Sequence, residues 1–84
     1  MARTRYSRLI ENLENAAALN HAMGEAIRLI ALHIASGRLT VPPETAQELA
    51  TIGHNQERLQ ALLIALRQEI QSEDRQDELS EPEL

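Results

Sequence analysis

The sequence predicts an all-α protein, a long antiparallel two-helix hairpin that assembles into a four-helix bundle or a larger homo-oligomer. Three observations point there. Two stretches repeat apolar residues at alternating spacings of four and three, the signature of a helical heptad. A single glycine–proline segment separates them. Leu, Ile and Ala supply the apolar content while Tyr6 is the only aromatic residue, which suits packed helices better than a sheet.

The first helix is expected over about residues 5–36, with Thr4 or Ser7 at its start. Its seam reads Leu9, Leu13, Ala16, Asn20, Met23, Ile27, Ile30, Ile34, so Asn20 is its one polar member. Gly37 stops it, since glycine adopts the left-handed conformation that closes a helix without strain. The turn occupies residues 37–42. Val41 and Pro42 each precede a proline and are pushed toward extended geometry, so the helix cannot continue through them. Pro43 suits the first turn of the second helix, and Glu44 suits its positive end. The second seam, over about residues 43–71, reads Thr45, Leu49, Ile52, Gln56, Leu59, Leu63, Leu66, Ile70, with Gln56 the one polar member of the run after Thr45. The hairpin thus spans residues 1–72. Residues 73–84, which are acidic and contain Pro82, are expected to form a disordered tail.

Closing the hairpin opposes positions whose numbers sum to about 80 and sets Asn20 and Gln56 within about one turn of each other. A polar core layer that fixes register is the expected role of that pair. Ala17, Gly24, Ala31, Ala46 and Gly53 flank the seam, and the two glycines imply a close backbone approach. The first helix carries further apolar residues, Ile10, Leu19, Ala22, Ala26, Leu29 and Leu32, and the second adds Leu62 and Ile64. One partner helix cannot cover all of these, so association with further copies is expected.

Composition narrows the function classes. With 84 residues and no cysteine, the chain has a small burial margin and no disulfide or thiolate metal site. The net charge of −5 argues against duplex nucleic acid as partner. No apolar run reaches the roughly 20 residues of a membrane span, and Glu11, Asn12 and Glu14 interrupt any leader-like stretch, so the expected location is the cytoplasm.

No catalytic constellation, phosphate loop or cofactor motif is present, so the expectation is a binding protein and not an enzyme. His21, His33 and His54 lack metal-site spacing, and His21 with Glu25 at i, i+4 reads as a solvated pair. Residues 44–55 resemble the first helix and turn of a helix-turn-helix, but the following segment, Arg58 to Arg67, is too apolar to read bases. The candidate ligand-binding residues are Tyr6, Arg8, Arg28 and Arg67. Guanidinium forks would hold an anion and Tyr6 would stack on a base. Arg28 and Arg67 lie about 24 Å apart along one hairpin and converge only between subunits. The competing reading is that Arg3, Arg5 and Arg8 neutralise the acidic C-terminal segment.

Two resemblances follow from these residues. Arg28, the Pro42–Pro43 turn and the helix ending Leu63-Ile64-Ala65-Leu66-Arg67 resemble the helical-hairpin nucleotide sponges that phages direct against CBASS and Thoeris immunity. That resemblance implies an oligomer whose interfaces hold a cyclic oligonucleotide, and sequestering such an immune messenger is the specific function expected first, with the following resemblance as the alternative. Ser36-Gly37-Arg38-Leu39, the proline turn and the amphipathic helix after it are similar to the needle co-chaperones of type III secretion. That resemblance implies a hairpin that binds a helical protein partner.

Overall fold

A computed structural model describes residues 5–80, with side chains through residue 76. Within them two helices, α1 (Ser7–Ala35) and α2 (Pro43–Ser80), pack against each other as an antiparallel hairpin. The molecule is a rod measuring 68 × 20 × 14 Å.

The turn follows the chemistry of its residues. Gly37 takes φ +79°, the left-handed conformation that closes a helix. Its N–H donates to the Ile34 carbonyl at 3.1 Å and the Arg38 N–H donates to the His33 carbonyl at 2.9 Å, a Schellman pair that satisfies two otherwise orphaned helix-end acceptors. At the start of α2, the Pro42 carbonyl accepts from the Thr45 and Ala46 N–H groups at 3.0 and 3.1 Å. Pro43 forfeits no bond there, because the first N–H of a helix has no intrahelical acceptor. The start of α1 is capped differently from expectation. Tyr6 is the N-cap residue and makes no side-chain cap bond, Ser7 is already helical, and Thr4 lies outside the described residues.

The rotation of both helices also differs from the expected seam. Leu13, Ala16, Asn20, Ile27, Ile34, Leu49, Gln56, Leu63 and Ile70 do turn inward. Leu9, Met23, Ile30, Thr45, Ile52, Leu59 and Leu66, expected with them, are exposed. Ile10, Ala17, Gly24, Ala46, Gly53, Gln60 and Arg67 occupy the inner surface in their place. The cause is the close approach at glycine. A Cβ built on Gly24 would lie 2.5 Å from Gln56 Nε2 and 2.6 Å from its Cδ, so the Gln56 amide rests directly on the α1 backbone. A Cβ on Gly53 would meet Ile27 Cγ2 at 3.2 Å. Turning the small residues inward brings the helices together and turns the large ones out to the flank.

Among the described residues no hydrophobic side chain is buried. Those that are buried are polar: Asn20, Gln56 and Asp74. Helix α2 also runs past its expected end near residue 71, reaching Ser80. Ile70, Gln71 and Asp74 stay on its inner side, so the register against α1 persists where the apolar pattern has stopped. Of the expected tail, residues 73–80 are therefore helical and 81–84 lie outside the described residues.

The two helical glycines should respond differently to alanine. Gly24→Ala gains about 1 kcal/mol of helix propensity. It displaces an amide that is hydrogen-bonded in the seam, which costs about 1–3 kcal/mol. Gly53→Ala makes the same propensity gain and asks only a few tenths of an ångström of Ile27. Urea unfolding followed by circular dichroism should rank Gly53→Ala at or above the parent protein and Gly24→Ala below it.

Candidate functional site

Two features of the hairpin carry chemistry: a polar clamp in the seam and a groove along one face. The clamp is reciprocal. Asn20 Nδ2 donates to the Gln56 backbone carbonyl at 3.0 Å, and Gln56 Nε2 donates to the Asn20 backbone carbonyl at 2.9 Å. Asn20 Nδ2 also donates to Gln60 Oε1 at 2.8 Å, adding a third polar residue that the heptad reading left out. Each side chain thereby bonds the main chain of the opposite helix, so sliding by one residue breaks both bonds. Asn20 Oδ1 is buried with no hydrogen-bond partner among the described residues.

Above the clamp, toward the open end, Arg67 Nη2 lies 3.3 Å from Glu14 Oε2, joining α2 to α1. Arg67 Nε is buried and has no partner among the described residues. Both ends of this ion pair are roughly half exposed, so it contributes at most about 1 kcal/mol. Positions summing to about 80 put Arg67 level with Leu13, and the carboxylate it meets is that of the next residue, Glu14. Tyr6 is half-buried at the start of α1, with the Arg5 guanidinium carbon 5.3 Å from its ring centroid. Arg8 is exposed in the first turn of α1. By the same register Asp74 falls level with Tyr6 and Ser7. It is a buried carboxylate that apolar periodicity has no means of flagging.

Arg28 sits apart from the other three candidates. It lines a groove of about 420 Å³ toward the turn, whose walls are mostly Ile27, Ala31, Ile34, Ala46 and Leu49, with His54 and Glu57 as further polar members. A second hollow of about 330 Å³ continues the same face toward the open end, past His21, Gln60 and Ile64, and shares Arg28 and Glu57. Arg28 Nη2 is 4.0 Å from Glu25 Oε1, and His21 Nε2 is 3.3 Å from the same oxygen. All three side chains are well exposed, so His21 and Glu25 form a solvated pair. Among the described residues no group of three or more His, Cys, Asp or Glu is placed to hold a metal.

The arrangement therefore does not gather Tyr6, Arg8, Arg28 and Arg67 into one site within a chain. Glu14 and Arg67 mark one level of the rod and Arg28 lies fourteen residues further along α1, about 21 Å away. Each of Arg28 and Arg67 has a carboxylate beside it, Glu25 and Glu14 respectively. Helix α2 is unbroken through residues 44–55, so the turn a helix-turn-helix requires after Ile52 is absent there. No helix among the described residues is long and apolar enough to cross a membrane.

The clamp generates a coupling that can be measured. In a double-mutant cycle, Asn20→Ala and Gln60→Ala should each destabilise, and their effects should fall short of additivity by about 0.5–3 kcal/mol because they share one bond. Strict additivity in chemical denaturation would show that the 2.8 Å contact carries no stability. No protein-family model, curated protein or solved structure matches the chain.

Proposed function

We propose that this chain is a non-catalytic helical binding protein that assembles with copies of itself and presents its grooved face to a helical protein partner. One observation carries the reading. Twelve large hydrophobic side chains are exposed among the described residues, from Leu66 at 37% to Leu19 at 73%, while the buried positions are polar or glycine. A hairpin of this kind is part of an interior whose remainder comes from other helices. The groove is lined by small and branched apolar residues at helical spacing, which is how one helix accepts the side chains of another.

A cyclic-nucleotide sponge of the phage counter-defence kind is the second reading. Arg28 in an open hollow beside His54 is the observation that favours it. The carboxylates of Glu25 and Glu57 on the same face weigh against it, because they oppose a phosphate at that guanidinium. A needle co-chaperone is the form of the first reading in which the partner is a helical-repeat protein. The cytoplasm is the compartment proposed for either reading.

Sedimentation equilibrium at micromolar concentration should give a dimer or a larger species. Thermal unfolding in the presence of cyclic di- and trinucleotides should leave the midpoint unchanged. A ligand at 100-fold excess over its Kd adds about 2.7 kcal/mol to the folded state, so a reproducible upward shift with any of them would move the function to the second reading. A stable monomer would remove the assembly on which both readings depend.

A further inference from the structure

The face opposite the groove has its own pattern. Counting from the seam residues Asn20 and Gln56, Arg28 and Glu57 lie round one side of their helices, while Met23 and Leu59, three residues on, lie round the other. Seven-residue spacing extends that second side into two stripes: the exposed Met23 and Ile30 on α1, continued by the half-buried Ala16 where the stripe bends toward the seam, and Leu66, Leu59 and Ile52 on α2. The stripes run level with each other, so they form three rungs, Ala16/Leu66, Met23/Leu59 and Ile30/Ile52. Met23, Ile30, Ile52 and Leu59 are 41–54% exposed, and no charged residue belongs to a rung.

We propose that this face is covered by the same face of a second copy, with the two hairpins antiparallel and the Met23/Leu59 rung on the two-fold axis. The axis lies in the interface at right angles to the helices. Each helix then stacks on its own counterpart: Met23 on Met23, Leu59 on Leu59, Ala16 on Ile30 and Leu66 on Ile52. Small opposite large in the Ala16–Ile30 layer is the alternation that packs bundle interiors. Leu9 reaches the level of the partner's turn, where Leu39 is 41% exposed.

One quantity sizes the partner and a second selects the orientation. The chain exposes 6974 Å². A folded monomer of 9.4 kDa exposes about 5,000 Å², leaving an excess of about 2,000 Å². Obligate homodimers bury about 1,000–2,500 Å² on each partner, so one self-copy removes an excess of that size. The second quantity is charge. Over residues 5–14 and 67–80, the two stretches at the open end of the hairpin, the sequence sets seven acidic residues against four arginines, Arg5, Arg8, Arg67 and Arg75, a net charge of −3. Stacking with turns together would set two such ends side by side. The antiparallel arrangement separates them by about the length of α1, some 40 Å, well beyond a Debye length of about 8 Å.

This proposal rests on the self-assembly reading and specifies its geometry. The chain has no cysteine, so single thiols report contacts without background. On mild oxidation, Met23→Cys and Leu59→Cys should each form a disulfide-linked dimer at least about tenfold faster than Leu32→Cys, which lies on the groove side. Ala16→Cys and Ile30→Cys should cross-link when mixed and not singly. Circular dichroism of each variant confirms that helicity is kept. Cross-linking of Met23→Cys only to Leu59→Cys would show the hairpins stacked with turns together, overturning the orientation while leaving self-assembly intact. No cross-link above the Leu32→Cys rate, with a dimer mass in sedimentation, would place the interface on another face and overturn this one. A monomer mass would remove self-assembly and this proposal together.

Discussion

The close approach at Gly24 is the constraint from which the geometry of the hairpin follows. Without a Cβ there, the Gln56 amide lies on the α1 backbone and its Nε2 donates to the Asn20 carbonyl. Asn20 returns a bond to the Gln56 carbonyl. These two bonds fix the axial register and also the rotation of each helix about its own axis. Their energetic worth is modest, about 1 kcal/mol each net of what water offers, but leaving such groups buried and unpaired costs about 1–3 kcal/mol. A pair of this kind penalises the wrong arrangement more than it rewards the right one, which is what a register device requires.

Rotation has a consequence for stability. With glycine, alanine and amides facing inward, the hairpin gains backbone proximity and loses the burial of its largest side chains. At about 25 cal/mol per Å², apolar area left in water is stabilisation not realised. The well-formed Schellman turn and the proline start of α2 reduce the entropy of the connection but add no interior. The fold is thus locally consistent and globally incomplete. Association is what would supply the missing interior, and on the proposal above the exposed rungs are where it would do so.

Helix number, the turn and the opposition of Asn20 to Gln56 are legible in the sequence because each rests on a strong local signal. Heptad spacing, a glycine followed by two prolines, and single polar residues at matching depth provide them. Helix rotation is not legible in the same way. Two stripes satisfy the same seven-residue repeat, one through Met23, Ile30, Ile52 and Leu59 and the other through Ala17, Gly24, Ala46 and Gly53. Choosing the bulkier stripe as the inner one follows from hydrophobicity within one chain, whereas the structure turns the small-residue stripe inward and leaves the bulkier one exposed. The end of α2 is missed for a related reason. Beyond Ile70 its inner side continues through Gln71 and Asp74, which a search for apolar periodicity does not count. The pairing of Arg67 is not legible in the sequence. Spacing locates Arg67 to within about a turn, but only side-chain geometry shows that Glu14 takes it.

The two faces left by this rotation differ in chemistry, and the difference bears on function. One face is free of charge along its rungs and level along its length, suited to a copy of itself because each rung meets the same or a complementary rung across a two-fold. The other is interrupted by His21, Arg28, Glu57 and His54 around small apolar walls, and its charges nearly balance. A balanced set of opposite charges around an apolar hollow gives little attraction to a multiply charged anion, whose binding draws on an excess of positive potential. It does give orientation to a surface with matching charges and an apolar ridge, since like-charge contacts in the wrong register cost more than correct pairs gain. If self-association occupies the uncharged face, discrimination among partners falls to the grooved one, and Arg28 and Glu57, which line both of its hollows, sit at its centre.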